Sequence, residues 1–250
     1  MTASLGNRMK RYEEVNRYFL TPRSCVIIRV DGRAFHSLTK SMKKPFDDDM
    51  MSAMVDAAET VARQMQGFKL GYVQSDEASF FLTDFDKLET QGWFGYELNK
   101  MVSISASLMA SSFLTEMVGA RLTTVPTFDS RAFNIPSAEV ANYFLWRAQD
   151  WERNSLQMYA QSIFSHNQLQ NKRKDQIHEM LHQKGKNWAT DLSDVERNGT
   201  FLVRGEQDAG NIVISSSVLP KYSNIVDLVG PFIADYVGKI TSQFGTKDST

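Results

Sequence analysis

Leu70-Gly71-Tyr72-Val73-Gln74-Ser75-Asp76-Glu77-Ala78-Ser79-Phe80-Phe81-Leu82 is the stretch that decides the fold. Its apolar ends, 70–73 and 80–82, read as two strands, and its polar centre reads as a tight turn carrying Asp76 and Glu77. Upstream, Cys25-Val26-Ile27-Ile28-Arg29-Val30 reads as a buried strand that stops at Asp31-Gly32. Between them, Asp47 or Asp48 is expected to cap a helix running to about Gln66. Its apolar stripe is Met51, Met54, Val55, Ala58, Val61, Ala62 and Met65. Beyond the hairpin, a second long helix is expected from about Tyr96 to Met117. A fourth strand follows from Thr127 to Ile135, stopped by Pro136.

That order is the split βαββαβ pattern, an α+β antiparallel sheet with flanking helices. In its usual strand order, 4-1-3-2, the first strand and the second hairpin strand are neighbours. Asp31 and Asp76 are 45 residues apart in sequence, yet the topology brings them to one sheet edge, on strands ~5 Å apart. Carboxylates gathered at strand ends repel unless a cation offsets them. Hard divalent ions such as Mg²⁺ prefer such oxygen ligands and carry substrate phosphates with them. The residues therefore read as a metal-dependent phosphoryl or nucleotidyl transferase, with Asp31 and Asp76 bridging two ions and the Gly32 carbonyl approaching them. Ordinary turn chemistry is the competing reading of Asp31-Gly32.

The chain of 250 residues is 42% hydrophobic, enough for one large domain or one and a half. Its formal charge of −1 means that any nucleic-acid surface must be local. One cysteine, Cys25, excludes an internal disulfide framework and fits a reducing cytoplasm. No apolar run approaches the ~20 residues of a membrane span, and the N-terminus does not read as a signal peptide. Residues 5–19 read as a helix, and Ser137 to about Phe164 as a long helix capped by Ser137. Leu169 to Gln183 reads as another helix, and Gly185 to Asn198 as polar loop. Thr200–Arg204 and Asn211–Ser215 read as short strands, Tyr222–Phe244 as mostly helical, and Gly245–Thr250 as a frayed end. The expected division is a catalytic domain over 1–136 and a helical C-terminal region over 137–250 packed on it, with a smaller helical/β extension at its end.

The turn Gly32-Arg33-Ala34-Phe35-His36 is suited to cradle a triphosphate, with Lys44 and Ser75 adding donors. For the lysines around it, a solvated loop is the plain alternative. Asn167 to Lys186 carries Lys172, Arg173, Lys174, Lys184 and Lys186 against Asp175 and Glu179, five positive charges to two negative. It reads either as a solvated helix face or as an RNA-backbone contact. The same stretch contains His178-Glu179-Met180-Leu181-His182, a formal match to a zinc-protease pattern whose third ligand would have to be a downstream carboxylate such as Asp191, Asp194 or Glu196; solvent-facing histidines are the stronger reading.

Taken together, several motifs resemble the tRNA-His guanylyltransferase family, in recognisable order over roughly 5–165. They are Arg29-Val30-Asp31-Gly32-Arg33-Ala34-Phe35-His36, Lys44-Pro45, Gln74-Ser75-Asp76-Glu77, Asn99-Lys100-Met101, Phe128-Asp129-Ser130-Arg131 and Trp146-Arg147. The resemblance implies a palm-like catalytic domain and a tetramer in the cytoplasm. It implies Asp31, Asp76 and Glu77 as catalytic residues, with Asp31, Gly32 and Asp76 holding two Mg²⁺ ions. It further implies Arg29, Arg33, Ala34, Phe35, His36, Lys44, Ser75 and Asp76 at the nucleotide. Lys100, Arg131 and Asn154 would lie at the tRNA 5′ end, and Lys172, Arg173 and Lys174 on the tRNA backbone. ATP and GTP or another NTP would be substrates, tRNA the partner, and no membrane would be involved.

Eukaryotic members carry His-Ile-Asn-Asn-Leu-Tyr-Asn where this chain reads Glu152-Arg153-Asn154-Ser155-Leu156-Gln157-Met158. Glu152 in place of the His looks like the bacterial and archaeal guanylyltransferase-like branch. The expected activity is template-directed 3′-to-5′ nucleotide addition to tRNA 5′ ends, as 5′-end repair, as G addition to tRNA-His, or as both. A palm-fold nucleotide cyclase and an RNA-binding module without turnover are the alternatives.

Overall fold

Period-2 apolar patterning turns into strands where it was expected, in a computed structural model that describes residues 4–119, 122, 124–208, 211–217 and 225–233. They are β1 (Cys25–Gly32), β2 (Phe68–Gln74), β3 (Glu77–Leu82) and β4 (Phe128–Ile135). Two more, β5 (Thr200–Asp208) and β6 (Asn211–Ser217), extend further than the sequence signalled. All pairs are antiparallel, in the order β4-β1-β3-β2-β5-β6. The first four stand in the expected 4-1-3-2 order, so the sheet is the palm-like α+β core of the split pattern. The late pair β5–β6 lengthens it at the β2 edge.

The helices are α1 (Leu5–Glu14), α2 (Phe35–Leu38), α3 (Asp48–Gln64), α4 (Leu98–Glu116) and α5 (Val140–Gln161). Four short ones follow: α6 (His166–Leu169), α7 (Lys174–Gln183), α8 (Trp188–Asp191) and α9 (Asp194–Asn198). Asp47 caps α3 by accepting from the Met50 N–H at 3.1 Å. The buried stripe of α3 is Met50, Ala53, Met54, Ala57, Ala58, Val61 and Ala62; Met51 and Val55 are only half-buried, so the helix is turned slightly from the expected face. Among the described residues, no helix is long and apolar enough to cross a membrane.

Alternation sends β1 side chains to two cores. Val26, Ile28 and Val30 join α3 and α4 on one face, whereas Cys25 and Ile27 join Val140, Tyr143, Phe144 and Ala148 of α5 on the other. Each fully buried aliphatic or aromatic side chain contributes roughly 1.5–3 kcal/mol here. The C-terminal half of α5 leaves the sheet and anchors a third core with Trp151, Leu156, Tyr159, Ile177, Leu181 and Leu192. One long helix thus spans the sheet and the cluster α6–α9.

Four sequence expectations change. The first helix stops at Glu14 rather than 19. Ser137 does not cap α5; residues Ser137–Glu139 form a 3-10 turn that leads into it. The helix expected over 169–183 breaks at Asn171, whose φ of 59° is left-handed. The expected polar loop at 185–198 holds α8 and α9. The Ser193–Glu196 capping box that starts α9 was readable as S-x-x-E. The C-terminal chain is helical over 225–233, where Ile225 and Val229 join the α5 core. The rest of the expected 222–244 helix and the 245–250 end lie outside the described residues.

Candidate active site

Antiparallel pairing sets Asp31 directly opposite Glu77 on one side and Asp129 on the other. Opposed residues share a face, so three carboxyl side chains form a row across β3, β1 and β4, on the side that α5 covers. The next row on that face is Ser79, Arg29 and Arg131. At the hairpin tip, Ser75 and Asp76 alone connect β2 to β3, and Ser75 takes a left-handed φ of 49°. Two-residue hairpins need such a residue, at a cost of about 1 kcal/mol for one with a Cβ.

Gly32 closes the gap between strand end and hairpin tip. Its N–H donates to the Asp76 carbonyl at 2.9 Å. A Cβ at position 32 would lie 2.9 Å from the Asp76 Cβ and 2.4 Å from the Phe35 ring. That ring is buried against Phe113 and Phe128, with centroids 5.4 and 5.1 Å away, so it cannot yield freely. Gly32→Ala is therefore expected to destabilise the protein by about 1–3 kcal/mol and to displace Asp76. Urea titration and turnover measured on the same sample check both effects together.

Burial pushes the Asp76 carboxyl upward, the Ser75 hydroxyl draws it back, and the neighbouring charge of Asp31 pushes it up again. Asp31 is raised by its own burial, then held back by Arg29 and raised by Asp129. Two partly buried carboxylates that disfavour each other's charge, beside a backbone with no Cβ, suit a hard cation. Glu77 is raised by burial against the pull of Arg147 and Arg29. Its carboxylate is gripped by Arg147, with Nε donating to one oxygen at 2.7 Å and a terminal N–H to the other at 2.6 Å. Arg29 stands 3.9 Å away. Glu77 is therefore engaged in an ion pair with α5. Among the described residues, no three His, Cys, Asp or Glu side chains converge as a metal-holding group. Asp31, Asp76 and the Gly32 backbone remain as the donor set, which fits a divalent ion completed by substrate phosphates.

Two clefts meet at Ser75 and Asp76 and share Trp151, Met158 and Gln161 of α5. One, of about 480 Å³, is lined by Gly32, Ala34, Phe35, His36, Lys43 and Lys44 among others. The other, of about 510 Å³, runs along α5 past Asp31, Glu77, Arg147 and Asn154. Of the residues expected at the nucleotide, His36 and Lys44 are exposed at the first cleft, and Lys44 Nζ donates to the Thr39 carbonyl at 2.9 Å. Arg33 is exposed, with its N–H bound to the Thr127 carbonyl at 2.8 Å. Ala34 takes a left-handed φ of 57° ahead of α2. Phe35 is a core residue that also lines the cleft, and Arg29 lies beside Glu77, 3.9 Å away, in the lining of neither cleft.

The residues expected at RNA divide. Asn154 lines the α5 cleft, and Arg131 is exposed on β4, paired with Asp129 at 3.0 Å. Lys100 is not brought to either cleft. It pairs with Glu97 at 3.4 Å near the start of α4, whereas Phe113, about 20 Å along that helix, is what touches Phe35. Lys172, Arg173 and Lys174 are exposed at the start of α7, and Lys174 pairs with Glu152 on α5. His178 lies edge-on to Trp188 and His182 is exposed, so the zinc-like pattern is a helix surface. Sequence reasoning missed Asp150, Trp151, Gln157 and Gln161, which share the α5 cleft with Arg147 and Asn154. Their helical spacing along α5 was legible; which face meets the hairpin was not.

Comparison with known proteins agrees with this geometry. The family model of tRNAHis guanylyltransferase matches residues 6–136, just over half of the chain. A bacterial tRNA(His) guanylyltransferase-like protein solved in complex with ATP is 37% identical, with a TM-score of 0.84 and coverage of 92% of this chain and 99% of that one. A bacterial protein of the same description in complex with GTP is 34% identical with a TM-score of 0.73, covering 94% and 99% of the two chains. The Saccharomyces cerevisiae enzyme, at 19% identity and a TM-score of 0.66, shares the fold. The tRNA(His) guanylyltransferase of Schizosaccharomyces pombe is 32% identical over 162 residues, covering 62% of this chain and 59% of the relative. The chain thus spans less than two thirds of the length of that relative, and 60% of the one from Debaryomyces hansenii. A family model over half of the chain, and a 37% identical neighbour aligned over nearly all of both chains, place it in the tRNAHis guanylyltransferase family.

Proposed function

We propose that this chain is a template-directed 3′-to-5′ nucleotidyltransferase that adds nucleotides to tRNA 5′ ends. The observation that carries the reading is the position of Asp76, which lines both a lysine-bearing cleft and a second cleft able to take another substrate, with Asp31 beside it in the second. In the first step, a 5′-monophosphate oxygen of the RNA attacks the α-phosphate of ATP, forming an RNA-5′-pyrophosphate-linked AMP and releasing pyrophosphate. In the second, the 3′-hydroxyl of an incoming NTP attacks the activated 5′ phosphate and AMP leaves. Lys44, His36 and the 32–36 turn hold the triphosphate, while Asp31 and Asp76 would hold Mg²⁺. The ions, when bound, neutralise charge developing on the transferred phosphoryl group. Glu77 acts indirectly, by fixing the hairpin to α5 through Arg147.

Glu152 supports the templated, repair-type activity over strict G addition, because this position departs from the eukaryotic motif and is committed to Lys174. A homotetramer in the cytoplasm, implied by the family resemblance, belongs to the same proposal. The test is incorporation of radiolabelled NTP with Mg²⁺ and ATP into tRNA lacking its first nucleotide and into tRNA-His lacking the extra G. Incorporation dictated by the opposing base in the truncated RNA is the expected result. G added only to tRNA-His, whatever the opposing base, would replace repair with maturation. Cyclic nucleotide formed from NTP without RNA would point to a cyclase instead.

A further inference from the structure

Four of the chain's twelve methionines stand in the wall of the lysine-bearing cleft: Met42, Met50, Met51 and Met158. They come from the loop after α2, from α3 and from α5, so the fold gathers them and no single run of sequence does. Exposure divides the described methionines. Met54, Met65, Met101 and Met109 are at most 1% exposed, and Met50 and Met117 are buried too. Solvent reaches five: Met9 on α1, Met180 on α7, and Met42, Met51 and Met158 in the cleft wall.

A thioether needs no deprotonation, so its sulfur lone pair is open to an oxidant wherever solvent brings one. The chain's one thiol is the contrasting case. Cys25 is 3% exposed, and burial, aided by Asp84, pushes it up to about 11, which keeps it an unreactive thiol. Oxidation of methionine to the sulfoxide turns a flexible apolar side chain into a polar one. Met51 borders the cleft on one side and a small cavity with Val55, Val73 and Trp151 on the other. An oxygen added to its sulfur lies either against that hydrocarbon or in the space open to a ligand. Met158 stands where the two clefts join, so an oxygen there narrows the junction.

We propose that Met42, Met51 and Met158 form a reversible oxidation site, at which a peroxide converts the thioethers to sulfoxides and weakens nucleotide binding in the lysine-bearing cleft. This rests on the reading of that cleft as the triphosphate site. In the step itself a sulfur lone pair attacks one peroxide oxygen, an S–O bond forms and the O–O bond breaks. The departing hydroxide takes the proton left on the new oxygen and leaves as water. Sulfur loses two electrons and the peroxide gains them. Reversal needs a sulfoxide reductase and a dithiol: two thiols become a disulfide, and the oxygen departs as water. Bound nucleotide covers the same wall, so the site responds to peroxide most when nucleotide is scarce.

Hydrogen peroxide is the probe, applied to the full chain with and without ATP and Mg²⁺. Peptide mass spectrometry follows oxidation residue by residue, and equilibrium binding follows ATP affinity. ATP is expected to slow oxidation of Met42, Met51 and Met158 severalfold and to leave Met9 and Met180 unaffected. Oxidation of the three is expected to raise the Kd for ATP about tenfold, the usual size of setting an unpartnered polar group into an apolar contact. Sulfoxide reductases with dithiothreitol are expected to restore the affinity, whereas dithiothreitol alone does not. Met42→Leu, Met51→Leu and Met158→Leu combined keep side-chain size without sulfur. The Kd of that variant is expected not to change on peroxide treatment, whatever its starting value. An unchanged Kd in oxidised wild-type protein overturns the proposal, as do equal oxidation rates with and without ATP. Restoration by dithiothreitol alone, or loss of the effect in Cys25→Ala, also overturns it by assigning the effect to the thiol. Global loss of fold on oxidation, read by circular dichroism, overturns it too. Protection by ATP is read on wild-type protein and so decides the matter even where the triple variant does not fold. Failure of untreated protein to bind ATP overturns the nucleotide reading of the cleft and the proposal with it; ATP binding that is indifferent to peroxide overturns the proposal alone.

Discussion

Asn in place of Asp31 or Asp76 abolishes nucleotide incorporation, by about a thousandfold or more, while the melting temperature holds or rises. The loss follows from removing one of the two carboxylates that remain once Glu77 is committed to Arg147. Several kcal/mol of charge stabilisation on a transferring phosphoryl group is about three powers of ten in rate. The stability result follows from the same electrostatics with the opposite sign. Burial pushes both carboxyls upward, and Asp76 is pushed further by Asp31, so the fold resists their ionisation. A neutral isostere relieves that resistance. Circular-dichroism melts, with and without Mg²⁺, alongside single-turnover incorporation, are the measurements. Mg²⁺ is expected to raise the wild-type melting temperature and to leave that of Asp76→Asn unchanged. Full activity in either variant would sink the metal assignment, and loss of activity through unfolding would show as a collapsed melt.

Arg147→Met is expected to lower stability by about 3–5 kcal/mol, the usual result of leaving a buried carboxylate without its partner. Arg147 and Glu77 are 6% and 7% exposed, and their two hydrogen bonds join residues 70 apart in the chain. The variant strands the Glu77 charge between β3 and α5, with Arg29 3.9 Å away and the neutral Gln74 amide donating to it at 3.3 Å. Glu77→Gln combined with Arg147→Met removes the stranded charge and is expected to recover much of the loss, because paired removal of buried ions is close to neutral. Urea unfolding of the two single variants and the double variant gives the coupling energy. Additive losses would mean that the pair does not act as a unit. Since Asp76 adjoins Glu77, Arg147→Met is also expected to lower kcat more than the double variant does.

Much of the sheet was legible because strand signals are local. The apolar runs at 25–30, 70–73 and 80–82 announced the strands, and the βαββαβ order limited their arrangement enough to bring Asp31 to the hairpin tip. Capping was legible at Asp47 and, had it been read, at Ser193. The break at Asn171 was not, because a single left-handed residue inside a periodic run leaves little trace in the pattern. The outward reach of β5 and β6 along the β2 edge depends on pairing with residues more than 120 positions earlier, such as Leu70 with Val203.

By itself, the sequence determined the four central strands and their order, the long helices packed on them and the pair of aspartates at one sheet edge. Those follow from side-chain period, turn chemistry and a topological rule, each readable over a few residues. Only the tertiary structure decided that Glu77 is paired with Arg147, that Lys100 pairs with Glu97 and lines neither cleft, and that one stripe of α5 forms the wall of a second cleft. These depend on which face of a helix meets the sheet and on which charge finds a partner in a low-dielectric interior. Contacts between residues 70 apart set both, and no local pattern encodes them.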